Sequence, residues 1–352
     1  MPGHFENRAG SPPPDWDDSL NRARGSIFHS SIWAGYQRAI GAGVPIYLFE
    51  RDAAGAITIG SLAFYLQSPR PIASFLFRRL SLPSHPFASP GAEDRMSPFL
   101  TTCEQFARGL GCSHLAVSSF MSGDSPWIPE SLGYAETQRL EFTLDLRQER
   151  DVLWKGIAKD QRERIRKLDR EGVRVEEGTA LEHLLELRHV REATQEKRAD
   201  RGQGYVLEAN PRFYAALHEH LLTRRAARLF LARRGEEVLA GLLFAAFGGR
   251  CYSLFSGSTD AGYRCGAQSS IFWHAVEAFQ GEGFSELNRG GVPASAREEG
   301  DSLHGIYRFK LRLGTTERLC RSGLKVVSPA RARLLAWREG LRRVVAGVRR
   351  DS

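Results

Sequence analysis

The sequence predicts a mixed α/β protein made of two successive units of the same kind, each a mostly antiparallel sheet flanked by helices. Three observations carry this expectation. The chain has 352 residues, room for two domains at roughly 100–200 residues each. Its residues are 42% hydrophobic and 10% aromatic, enough for a sizeable core and incompatible with a disordered chain. Segments of period two and period 3.6 follow one another in a similar order in both halves: helices, a meander of strands, another helix, then strands.

Residues 1–25 hold Pro12-Pro13-Pro14 and little apolar clustering, so they are expected to form a flexible arm. The first domain is expected over 26–148. It opens at Ser26-Ile27-Phe28, and a helix is predicted over Ser31–Ala42. Pro45–Glu50 and Ala56–Gln67 flank Asp52-Ala53-Ala54-Gly55, a turn composition between two apolar runs, and so predict a hairpin. A helix over Ser97–Leu110 should stop at Gly111, with strands at His114–Ser118 and Glu141–Leu146.

The second domain is expected over 149–327. A charged helix, Glu149–Glu171, is stopped by Gly172 and followed by the strand Val173–Glu177. Helices over Ala180–Arg198 and Pro211–Arg224 precede a hairpin of Arg228–Arg233 and Val238–Phe247. A strand at Arg250–Ser256, an amphipathic helix at Ala267–Gln280 and a strand at Ser285–Asn288 follow. Ser328-Pro329 is a favourable helix start, and residues 328–352 predict a basic amphipathic helix.

The net charge is +8, and it is unevenly placed. From Arg321 onward nine basic residues stand against only Glu339 and Asp351, so the rest of the chain is close to neutral. Such a helix packs its apolar stripe on the domain, lies on an anionic membrane leaflet through residues 328–350, or binds nucleic-acid phosphates. A second basic stretch, Lys155–Arg170, is read either as a solvated face or as a nucleic-acid contact.

The longest apolar run, Val238–Phe247, is about half of the ~20 residues a membrane span needs. No apolar stretch follows Met1, so a cytoplasmic protein without a transmembrane segment is expected. Five scattered cysteines without a Cys-x-x-Cys pair argue against a disulfide framework or zinc knuckle. His218-Glu219-His220 lies in a helical pattern, where positions two apart face away from each other, so no metal is expected. There is no Gly-x-Ser-x-Gly elbow and no Cys/His pair at a recognisable spacing.

Several short elements recur in a telling order. These are Trp154-Lys155 through Arg162-x-Arg164-Ile165-Arg166-Lys167, then Thr194-x-x-Lys197-Arg198, then Leu231-Ala232-Arg233 through Ala240-Gly241. Gly257-Ser258 through Tyr263-Arg264, Asn288-Arg289-Gly290-Gly291, and Gly305 through Phe309-Lys310 to Gly314 complete the series. Together, over roughly residues 28–325, the chain resembles the FemA/FemB/FemX group of peptidoglycan aminoacyltransferases and their broader kin, the GNAT or BioF2-like acetyltransferases.

The resemblance implies two tandem GNAT-like domains. It also implies transfer of an aminoacyl or acyl group onto an amine, with no tightly bound cofactor. The donor would be aminoacyl-tRNA or acyl-CoA, the acceptor a peptidoglycan precursor or another amine, and tRNA a partner. It places Lys310 and Phe309 at the acyl-transfer site, the lysine as the charge facing a tetrahedral oxyanion and the phenylalanine against the donor. The bland reading of Lys310 is a solvated lysine in a basic strand.

Trp33, Tyr36, Lys197, Arg198, Tyr263, Arg264 and Arg308 are the substrate-binding candidates. Gly266 and Ala267 would bind cofactor only if CoA is the donor, because Arg264-Cys265-Gly266-Ala267 is a shortened pyrophosphate loop. The other readings are a CoA-dependent N-acetyltransferase for a small or glycan-linked amine, and a non-catalytic protein that binds tRNA or a cell-wall precursor.

Overall fold

A computed structural model describes residues 4–67, 78–122, 132–200 and 207–335. The expected loop at Pro126–Pro129 and most of the basic helix over 328–352 lie outside these residues; 329–335 are helical. The chain divides into two compact units, Met1–Thr137 with Arg321–Ser352, and Gln138–Cys320. The expected seam near residue 148 therefore moves to residue 137, and the last stretch of chain returns to the first unit.

Unit 1 contains β1 (His4–Ala9), α1 (Trp16–Arg22), α2 (Ser31–Ala39), β2 (Val44–Arg51) and β3 (Ile57–Gln67). It continues with β4 (Arg78–Leu82), β5 (Phe87–Ala88), α3 (Met96–Gly109) and β6 (His114–Val117). Strands β1, β2, β3 and β4 pair antiparallel in that order, and β6 joins β4 in parallel. The β2–β3 hairpin forms as expected: Asp52 Oδ1 accepts the N–H groups of Ala54 and Ala56, both at 2.9 Å, and Gly55 takes a left-handed φ of 82°. Phe99, Leu100, Cys103 and Ala107 of α3 pack on Leu80 and Leu115.

Within the expected flexible arm over 1–25, the described residues 4–25 are ordered structure. β1 pairs with β2 from His4 opposite Arg51 to Ala9 opposite Ile46, and Trp16 and Leu20 are fully buried. Few apolar residues suffice because each is well placed; Phe5 lies 5.9 Å from Phe99 between ring centroids.

His29 ties this unit together. Its Nδ1 accepts the Leu62 N–H at 3.1 Å, so the ring proton sits on Nε2 and donates to the His85 carbonyl at 2.8 Å. Complete burial pushes its pKa down to about 4. Below the ordinary histidine value near 6.5 the unfolded chain takes up a proton that the folded ring refuses. Stability is therefore full above about pH 6.5 and falls toward pH 4, by about 3 kcal/mol from this group. Melting followed by circular dichroism between pH 7 and 4.5 should show this slope, and His29→Gln should flatten it. An unchanged slope would place the proton elsewhere.

Strand β7 (Ala135–Asp145) leads into unit 2. There follow α4 (Arg150–Gly156), α5 (Lys159–Arg170), β8 (Val173–Gly178) and α6 (Leu181–Ala199). Next come α7 (Phe213–Leu217), extended by a π-type turn over His218–Leu222, then β9 (Ala227–Arg234), β10 (Glu237–Phe247) and β11 (Arg250–Ser258). The unit closes with α8 (Asp260–Cys265), α9 (Ala267–Gly281), β12 (Glu286–Pro293) and α10 (His304–Leu311). Strand β13 (Thr316–Val326) brings the chain back, and its residues 323–326 pair antiparallel with β6.

The sheet of unit 2 runs β7-β12-β11-β10-β9-β8, with β11–β12 its parallel pair. The single charged helix expected over Glu149–Glu171 is two helices. Ile157 and Ala158 are extended between them, because Ile157 is buried in the core and the Ala158 N–H is donated to the Arg312 carbonyl at 2.9 Å.

Candidate acyl-transfer site

The site grows out of a break in the sheet. β11 and β12 pair only from Arg250 opposite Glu286 to Tyr252 opposite Asn288, yet β11 runs on to Ser258 and β12 to Pro293. Beyond Asn288 the register of β12 against β7 shifts before Gly291. Gly290 takes a left-handed φ of 73° there, which a side chain disfavours. The Asn288 side chain fixes this bulge: Oδ1 accepts the Gly290 N–H at 2.8 Å, and Nδ2 donates to the fully buried Glu141 carboxylate at 2.7 Å. Glu141 also faces the Arg139 guanidinium at 3.4 Å.

Lys310 reaches this bulge from α10. Its Nζ donates to the Arg289 carbonyl at 2.9 Å and to the Gly291 carbonyl at 3.5 Å, and lies 5.3 Å from the centre of the Phe142 ring. The side chain is buried. Burial, followed by the positive charges of Arg289, Arg139 and Arg198, drives its pKa well below that of an ordinary lysine, with only Glu141 opposing. Lys310 is thus not a solvated strand lysine; it is the inward residue of a helix. The end of that helix is fixed by Thr315 Oγ1, which donates to the Lys310 carbonyl at 2.8 Å. A Cβ at Gly314 would lie 3.0 Å from the backbone of Gly156, so the glycine of the Phe-Lys…Gly motif lets α4 and α10 meet.

Arg289 follows Asn288 into the same gap. Its terminal nitrogens donate to Ser253 Oγ at 2.8 Å and Gln268 Oε1 at 2.9 Å. Gln268 in turn bonds the carbonyls of Gly241 and Gly257, which gives the Ala-Gly element of β10 and the Gly-Ser element of β11 a shared clasp. Thr194 holds α6 to β11 by accepting the Ser258 N–H at 2.9 Å, and Arg198 follows one turn later.

The other candidates divide. Arg198 joins the site through its charge on Lys310. Lys197 bonds Asp260 at 2.7 Å and lies 4.4 Å from the centre of the Tyr263 ring, so Lys197 and Tyr263 form one surface cluster. Arg264 and Arg308 are exposed. Phe309 does not share the face of Lys310, because neighbours on a helix project about 100° apart; it packs against the unit 2 core. Trp33 and Tyr36 are buried within unit 1, their rings 5.2 Å apart and Trp33 edge-on to Phe28. They are core residues and not a substrate surface, since aromatics on an amphipathic helix bury first.

Gly266 takes a left-handed φ of 80° between α8 and α9, while Ala267 is buried in the core. The N–H groups of Gly262, Tyr263 and Gly266 are spent on Thr259 Oγ1, the Thr259 carbonyl and the Gly262 carbonyl. A helix therefore occupies the place of a phosphate-cradling loop.

The sequence alone singles out Asn288-Arg289 but gives Arg289 no role, and it does not single out Glu141, Ser253 or Gln268. The available signal was a charge between two core residues, as in Leu140-Glu141-Phe142.

Comparison with known proteins agrees with this fold. Residues 157–310 match the family model of the acetyltransferase (GNAT) domain. That stretch carries the match to an acyltransferase domain, and the fold around it is GNAT-like. Over most of its length the chain is similar in fold to solved proteins of this kind. A crystal structure of FemX aligns over 90% of this chain and 96% of its own, with a TM-score of 0.72 at 12% identity. The structure of L-PGS from Bacillus licheniformis aligns over 93% and 96%, with a TM-score of 0.54 at 14% identity. A tandem GNAT protein from the clavulanic acid biosynthesis pathway aligns over 93% and 99%, with a TM-score of 0.53 at 12% identity. No curated protein matches by sequence. Among the described residues no helix is long and apolar enough to cross a membrane.

Proposed function

We propose that the protein moves an aminoacyl group from aminoacyl-tRNA onto an amine of a peptidoglycan precursor. The observation that carries the reading is the buried Lys310 ammonium, held on two carbonyls of the β12 bulge where β12 has parted from β11. Two of its N–H bonds are spent on those carbonyls, and the third is left for a substrate oxygen. When the acceptor amine attacks the donor ester, the carbonyl oxygen gains negative charge facing Lys310, a preorganised donor in a low-dielectric site. The depressed lysine pKa eases the next step. Lys310 gives a proton to the departing alkoxide and recovers one from the new ammonium, so the amine's proton ends on the leaving group.

The helical turn at Gly262–Gly266 favours tRNA over CoA, because its N–H groups already have partners. The exposed Lys155, Lys159, Arg164, Arg166, Lys167 and Arg170 on and beside α5 offer a charged face to tRNA phosphates. The decisive experiment incubates protein and muropeptide precursor with charged tRNA or with acyl-CoA, followed by mass spectrometry of the acceptor. Aminoacylated product with tRNA alone is expected. Product with acyl-CoA in nuclease-treated reactions would replace this donor, and binding without product from either would favour a non-catalytic role.

A further inference from the structure

Proton transfer and oxyanion stabilisation leave the second buried cation, Arg289, without a task. Its side chain is only 6% exposed, and its terminal nitrogens meet Ser253 and Gln268, both neutral. Its Nε–H, sealed from solvent, meets no acceptor among the described residues, nor does any carboxylate among them pair with it. Two other buried arginines are treated differently: Arg191 holds Glu208, and Arg228 holds Glu177 and Glu282. The buried carboxylate of Glu141 is already taken by Asn288 and Arg139. A guanidinium left unneutralised beside a buried ammonium is costly to keep, and no described residue supplies the anion that would remove the cost.

We propose that Arg289 anchors a carboxylate pocket, so that the amine substrate of the transfer reaction carries a carboxylate that seats on the Arg289 Nε–H edge beside Lys310. This rests on the acyl-transfer reading and adds the substrate's chemical class. A planar carboxylate matches the in-plane N–H bonds of a guanidinium. A monoanion also cancels one of the two buried positive charges and leaves the other for the oxyanion, whereas a phosphate dianion would cancel both.

The test uses the full chain labelled with 15N-arginine. Its Arg289 Nε–H resonance is assigned by its loss in Arg289→Lys, then followed during titration with acetate or inorganic phosphate against a chloride control of equal ionic strength. A saturable shift with acetate, at least tenfold tighter than with phosphate, is expected. No acetate-specific shift, or tighter binding of phosphate, would overturn the pocket. Arg289→Gln should weaken acetate binding at least tenfold by calorimetry; if that variant fails to fold, the wild-type titration alone decides. Equal kcat/KM for amines with and without a carboxylate also overturns the proposal while leaving acyl transfer standing. Acetate binding without transfer to any amine supports the pocket and sinks the acyl-transfer reading instead.

Discussion

Lys310→Ala is expected to lower the rate of acyl transfer by about 100–1000-fold, the loss typical when one preorganised oxyanion donor is removed. The effect should fall on kcat, since Lys310 meets its substrate oxygen fully only once charge develops there. The fold should persist. The variant frees the carbonyls of Arg289 and Gly291, which costs about 1–3 kcal/mol, but it also removes a buried charge that sits close to Arg289 and Arg139. Lys310→Arg is the informative companion. It keeps the charge but gives up no proton at any working pH, so partial activity would assign the lysine to electrostatics and full loss would point to proton transfer. Initial rates and thermal melts on the same preparations separate catalysis from folding. An active alanine variant would remove Lys310 from the mechanism.

Gly257→Ala should be among the more damaging single methyls in unit 2 that touch no reacting group. A Cβ there would lie 2.6 Å from the backbone of Val190 and Arg191, and backbone in the middle of a 19-residue helix cannot move aside as a side chain would. The expected cost is about 3 kcal/mol or more, read as a fall in Tm of roughly 6–12 °C. Because Thr194 and Arg198 ride on the same helix, the variant should also lose activity in whatever fraction remains folded. Gly281→Ala is a fitting control, since no heavy atom stands within 4 Å of its added carbon. A thermally unchanged Gly257→Ala would mean that α6 does not lie so close to β11.

The elements that repeat a clear period could be read directly. The two hairpins, at Val44–Gln67 and Ala227–Phe247, and helix α9 lie within a few residues of where their patterns place them. Short or mixed segments could not. β13 interleaves Glu317, Arg318, Arg321 and Lys325 with Leu319, Leu324 and Val326, so no face repeats. α10 has eight residues and no side-chain cap, too little for a helical period to show. The site was legible where a motif existed, at Lys310, and dark where it depends on burial. Nothing local distinguishes the solvent-facing Arg308 from the sealed Arg289, and Glu141 meets Asn288 at a sequence separation of 147. Trp33 and Tyr36 misled in the opposite sense, because an aromatic in a core and one in a cleft look alike in a sequence.

The discontinuity of unit 1 bears on how the chain is made. Unit 2 is a single uninterrupted stretch, Gln138–Cys320, whereas unit 1 draws on both sides of it. During synthesis from the N-terminus, unit 2 is complete while unit 1 still lacks residues 323–326 beside β6 and the Arg321 carbonyl that accepts from His85. The ribosome thus releases unit 2 ready to fold first. Until the last segment arrives, the earlier half waits with one side of β6 unpaired, and a nascent chain stalled before Arg321 should offer that strand to proteases and chaperones.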